Sequence, residues 1–285
     1  MVSTRLSGVL FVLFSASGFG AMAIFGKVAF ASGASTTTVL FLRFLSAGIL
    51  MAALMAVLRL PWPRGRDLYT LIAMGALGYA GQSFLFFSAL HHATAGLTGL
   101  LLYLHPSLVI IVSAAIGRRK LTFTKILLAL GSLLGILLTV ADGLAGTHQG
   151  IAFGIGAALV YTVYILVGEG VSSRTGAISA SCVIMLSAAF IFGMAMVIEG
   201  PCFPKDTTGW MAVASIAVFS TLMPIVFFFA GMRRIGAGDA STLSTLEPVV
   251  TLLLAYFFLG ETLGSVQTLG AAMVIAAVVI LTRLP

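Results

Sequence analysis

Charge is what this sequence has least of. Lys, Arg, Asp and Glu together make up 8% of its 285 residues, against about 25% in an ordinary soluble domain. Hydrophobic residues make up 60%. A water-soluble fold of this length cannot cover so much apolar surface with so little polar surface. A bilayer removes that constraint, because lipid solvates the outward faces, and the 32 glycines suit helices that pack closely in lipid. Cysteine is also scarce. Cys182 and Cys202 are too few for a disulfide framework, so two free thiols are expected. No Walker-type phosphate loop is present, which excludes ATP as the direct energy source. His, Cys, Asp and Glu do not cluster at ligand spacing, and no serine is paired with a base. His91-His92 stands alone. That weighs against an intramembrane enzyme and against a metal or other cofactor. A repeated pore ring is missing too, which weighs against a channel.

What is present is a series of long apolar runs. They lie near 6–29, 36–58, 67–88, 94–116, 123–141, 149–170, 177–198, 208–230, 240–259 and 264–283. A hydrocarbon core needs about 20 apolar residues per helix, whereas barrel strands are about 10 residues and alternate. The expected fold class is therefore an all-α integral membrane protein with ten transmembrane helices. Ala29-Phe30-Ala31 imitates a signal-peptidase site, but the apolar stretch before it starts near Leu6 and is too long for a signal core. We read it as a retained helix.

The formal charge of +7 would suggest nucleic acid for a soluble protein. Here it reports topology instead. Arg5, Arg59, Arg64, Arg66, Arg118, Arg119, Lys120, Lys125, Arg174, Arg233, Arg234 and Arg283 all fall on one side of the ten-span scheme. Both termini are expected in the cytoplasm of a bacterium, with the chain in its inner membrane.

The sequence also overlays on itself at an offset of 142 residues without a gap. Gly8, Gly26, Phe86-Phe87, Ala95-Gly96 and Pro106 fall on Gly150, Gly168, Phe228-Phe229, Ala237-Gly238 and Pro248. Two units follow, 1–142 and 143–285, with five spans each. An odd number of spans makes the second unit insert upside down. Inverted repeats of this kind place a substrate site near the bilayer midplane and suit alternating access.

Ser241 to Leu263, STLSTLEPVVTLLLAYFFLGETL, and its counterpart at residues 89–121 resemble the drug/metabolite transporter superfamily in its ten-helix EamA branch. The likeness covers the whole chain and runs toward YddG-type aromatic amino-acid exporters. It implies secondary export of small metabolites, amino acids first. Drugs or other metabolites are the alternative. The partners implied are a small-molecule substrate, the lipid bilayer and protons, with no nucleic acid and a monomer or homodimer. One departure is that Gly260-Glu261 aligns with Arg118-Arg119 in the first unit.

Ionisable groups are costly at membrane depth and are functional candidates by default. Glu247 lies near the midplane of the ninth span, before Pro248, with Ser244 and Thr251 on the same face. It either lines a cavity, meeting a substrate amine or a proton, or ties the bundle together. His105, its repeat partner, precedes Pro106, and Tyr103 is close by. Arg43 in the second span can fork onto a substrate carboxylate, or else snorkel or pair with a helix end. Lys27 reads as interfacial. Tyr79, Gln82 and Phe86 recur at helical spacing, as do Tyr161 and Tyr164. Both faces suit a planar apolar group, or equally plain helix packing. Pro106, Pro224 and Pro248 are candidate hinges. Gly131 with Gly135 and Gly150 with Gly154 read as packing faces, and Gly75, Gly78 and Gly81 as a close-approach, bendable stretch.

Overall fold

A computed structural model describes residues 4–116, 122–141, 146–235, 240, 243–244, 246–262 and 264–283. Arg118, Arg119 and Lys120, the Gly-Glu counterpart in the first unit, lie outside the described residues. So do Ala237-Gly238, Ser241, Thr242 and Thr245.

The described residues are helical apart from short connections. In order they form α1 (Thr4–Gly20), α2 (Met22–Ala31), α3 (Thr36–Val57), α4 (Gly65–Ala73), a π-helical segment (Met74–Tyr79) and α5 (Ala80–His92). Then come α6 (Ala95–Leu102), α7 (His105–Ala115), α8 (Phe123–Ala141), α9 (His148–Thr175) and α10 (Ala177–Glu199). Last are α11 (Thr207–Ala217), a second π-helical segment (Val218–Leu222), α12 (Met223–Ile235), α13 (Glu247–Leu259) and α14 (Ser265–Arg283). Six continuous stretches are long and apolar enough to cross a membrane: Arg5–Ala31, Thr36–Val57, Gly65–His92, His148–Gly168, Ala177–Glu199 and Thr207–Met232. Four shorter apolar helices accompany them, Ala95–Val109, Ile126–Gly135, Glu247–Leu259 and Ser265–Ala277. Their outward faces stay apolar. Phe14, Leu77, Phe190 and Phe257 are all more than half exposed, as lipid-facing side chains are.

Local chemistry sets the helix ends. Ser35, Thr94 and Asp206 accept from Thr38 N, Leu97 N and Gly209 N, three side-chain caps that satisfy orphan donors. Gly260 ends α13 at φ 66°, a backbone angle that glycine takes without strain.

Four of the expected straight spans are interrupted. The first breaks at Ala21, and the third and eighth each contain a π segment. The fourth breaks at Tyr103-Leu104. Pro106 explains the last break, because it has no N–H for the Leu102 carbonyl one turn back. The His105 ring takes over, with Nδ1 3.0 Å from the Leu102 oxygen. The same exchange recurs before Pro248. There the orphan carbonyl is that of Ser244, and the Tyr103 hydroxyl donates to it at 3.2 Å.

Packing is reciprocal between the halves. α3 lies along α10 and α8 along α14, while α1 with α12 matches α9 with α5. The 142-residue offset carries each of these pairs onto itself or onto the other, the signature of a two-fold relation. It also carries the second π segment onto 76–80, overlapping the first. Hydrogen bonds between connections gather at two ends. At one end Ser35 N donates to Cys202 O, Lys205 N to Ser32 O and Thr147 N to His92 O. At the other, Ser179 Oγ donates to Pro61 O and Arg174 pairs with Asp67 at 2.6 Å.

The small-residue faces hold with one exception. Gly135 abuts Gly270 and Val274, Gly154 abuts Leu101, and Gly78 abuts Tyr164. A side chain at Gly131 would meet nothing within 4 Å, so that glycine faces outward rather than packing.

Candidate functional site

A cavity of about 560 Å³ lies among the interrupted helices. That volume suits a small metabolite. The breaks and π segments put polar side chains there that a straight bundle would leave between helices. Ten of the residues singled out above line it: Arg43 on α3, Tyr79 on the first π segment, Gln82 and Phe86 on α5, and Tyr103 and His105 at the α6–α7 break. Tyr161 and Tyr164 reach it from α9, Ser244 from the helical residues just before α13, and Glu247 from the start of α13. Pro106 lines it as well. Pro224 follows the second π segment and Pro248 opens α13, so all three prolines sit at element junctions.

Arg43 is 2% exposed, which rules out snorkelling. Its Nε donates to Thr221 Oγ1 at 3.0 Å and its Nη2 to the Tyr79 hydroxyl at 3.2 Å. The guanidinium carbon also sits 4.7 Å from the centre of the Phe44 ring, a cation–π contact. Thr221 in turn donates to the Ile216 carbonyl, five residues back, as π geometry allows. Glu247 accepts from the Tyr103 hydroxyl at 2.9 Å. Among the described residues, neither Arg43 nor Glu247 has an oppositely charged partner within 4 Å.

A wall of rings runs between these two charges. Tyr79 stacks on Tyr164 at 5.5 Å, Tyr164 on Tyr161 at 5.8 Å, and Tyr161 meets His105 edge-on at 4.7 Å. His105 lies 5.7 Å from Tyr103, which holds Glu247. Because a carbonyl only accepts, His105 Nδ1 carries a proton toward Leu102, and Nε2 of the neutral ring is left as an acceptor.

Thr251 is not part of this surface. Its hydroxyl donates to the Gly20 carbonyl at 2.9 Å, at the break in the first span, so the polar stripe of α13 divides between cavity and packing. Lys27 donates to the Ala93 carbonyl at 2.7 Å. Glu261 grips the start of α6, accepting from Ala95 N at 2.7 Å and Gly96 N at 3.0 Å. A carboxylate at a helix N-terminus is well placed, and here it ties the second half to the first.

Sequence reasoning missed Thr221, Met185 and Phe228. Met185 and Phe228 line the cavity, and Thr221 holds Arg43. The repeat carried part of the signal, since Met185 and Phe228 are the counterparts of Arg43 and Phe86 at the 142-residue offset.

A family model described as the EamA-like transporter family matches the chain twice, over residues 6–141 and 148–283. An uncharacterized transporter, YcbK, from Bacillus subtilis is 27% identical over 279 residues, 93% of this chain and 89% of that one. The threonine/homoserine exporter RhtA of Salmonella typhimurium is 26% identical over 204 residues, 70% of this chain and 67% of its own. The uncharacterized inner membrane transporter YedA of Escherichia coli is 24% identical over 84% of this chain and 79% of its own. A solved crystal structure superposes with a TM-score of 0.73 at 20% identity, covering 99% of this chain and all of that one, and shows the fold alone.

Proposed function

Because the chain belongs to the EamA-like transporter family, we propose that it exports small neutral amino acids, aromatic ones included, as a secondary transporter of the bacterial inner membrane. The family and these relatives are transporters and not enzymes. The chain is a multi-pass membrane protein with a small-molecule substrate. Amino-acid export draws support from RhtA, whose substrates are amino acids. The observation that carries the reading is the cavity, where an aromatic wall joins a buried guanidinium to a half-buried carboxylate.

In this reading the chain crosses the bilayer ten times, the four shorter helices completing the six long ones. Residues 1–142 and 143–285 are inverted units, with both termini in the cytoplasm. Reciprocal packing and the paired π segments support that arrangement. Arg43 attracts a substrate carboxylate, the tyrosines hold its apolar part, and Glu247 meets a cation or carries a proton. Pro106, Pro224 and Pro248 absorb the bending that exposes the cavity to each side in turn. The chain works as a monomer or a homodimer.

Counterflow into liposomes loaded with single amino acids tests this. Labelled amino acid is expected to accumulate, and Tyr79→Ala, Gln82→Ala and Tyr161→Ala to slow it several-fold. Unchanged rates in all three correctly folded variants would remove the cavity from the transport path.

A further inference from the structure

The cation and the carboxylate of the cavity are held by different elements and share no neighbour among the contacts described. Arg43 sits on α3 and bonds to the first and second π segments. Glu247 sits on α13 and bonds to Tyr103 at the α6–α7 break. Between Tyr79 and Tyr103 lie four ring-to-ring steps of 4.7 to 5.8 Å. The wall in that interval is aromatic and offers no third charge among its described residues.

An α-amino acid carries its ammonium and carboxylate on one carbon. Set on one of the two charges, it leaves the other, at the far end of the ring wall, without an oppositely charged partner. A buried charge without a partner is costly, so a ligand that neutralises both gains on one that neutralises either. Building on the transport reading of this cavity, we infer that its preferred substrate is a zwitterion with its charges at opposite ends of an apolar or planar spacer. A short peptide or an ω-amino acid has that form. Its carboxylate lies on Arg43, its ammonium on Glu247, and its spacer along Tyr164, Tyr161 and His105. The guanidinium supplies the geometry, since only two of its five N–H donors are committed to Thr221 and Tyr79 in the bonds described. The Tyr103 hydroxyl holds one carboxylate oxygen of Glu247 and leaves the other for the ammonium.

The test is competition against labelled amino-acid counterflow, paired with thermal stabilisation of the purified protein. The probes are glycine, 4-aminobutyrate, 6-aminohexanoate, leucine, glycylglycine and glycylphenylalanine. Spaced zwitterions are expected to compete and stabilise on the order of tenfold more tightly than glycine or leucine, about the worth of one charged hydrogen bond. Arg43→Gln should abolish that advantage while hexylamine still stabilises. Glu247→Gln should abolish it while hexanoate still stabilises. Arg43→Lys, which keeps the charge, guards against a misfolded variant and should retain part of the advantage. Equal or tighter binding of α-amino acids overturns the inference while leaving amino-acid transport standing. Equal loss of hexylamine and hexanoate in folded Arg43→Gln overturns it as well. If no probe binds and no amino acid moves, both this inference and the transport reading fail.

Discussion

In a bilayer no water waits to satisfy a polar group that has lost its partner, so single side chains carry visible structural duties. His105 is one. Its ring fills the place of the N–H that Pro106 lacks. His105→Ala should lower the unfolding temperature in detergent, at a cost of about 1–3 kcal/mol for an orphaned carbonyl. Tyr103 has a double duty, its one O–H proton shared between the Ser244 carbonyl and Glu247. Tyr103→Phe keeps the ring and removes both bonds. The expected loss is at least as large as that for His105→Ala, and the same melting experiment compares the two. Glu247, His105 and Arg43 could be found in the sequence because an ionisable residue inside an apolar run is conspicuous. Thr221 could not, because a threonine in a span is ordinary until a helix 178 residues away brings Arg43 to it.

At the scale of the helix, periodicity located the long runs but not their interruptions. An apolar stretch reads the same whether it is α-helical throughout or contains a π turn, since the change is in backbone hydrogen bonding and not in composition. Gly75 in the first π segment shows what the interruption allows. A side chain there would run into the Ile184 backbone and Ser187 on α10. Gly75→Val should therefore destabilise by about 1–3 kcal/mol through overpacking. Gly131→Ala is the control, since it meets only open space, and should be neutral or stabilising by up to about 1 kcal/mol from helix propensity. If both variants melt alike, the packing assigned to α10 and the first π segment is wrong.

Across the whole molecule, topology is the claim on which direction depends. Cys202 is exposed on the connection that bonds to Ser35, and Cys182 is buried. A membrane-impermeant maleimide should label Cys202 from outside intact cells and leave Cys182 alone. Labelling only in inverted vesicles would reverse the orientation. Glu261 bears on the same end of the molecule, where it joins the connection before α14 to the start of α6. Glu261→Ala should cost about 1.5–3 kcal/mol, since charged hydrogen bonds are lost, and unfolding of the purified protein measures it. The sequence signalled this residue only as an asymmetry between the repeats.

Hydropathy, charge placement and a constant repeat offset determined that the chain lies in lipid, is helical and is built twice. Those properties follow from transfer free energy and duplication, which act residue by residue along the chain. Only the tertiary structure decided that ten scattered side chains face one cavity, that Thr251 leaves that surface, and that the cation and the carboxylate stand at opposite ends of an aromatic wall. Those relations depend on where helices break and which helices pack together, and no local pattern of residues encodes a distance across a bundle.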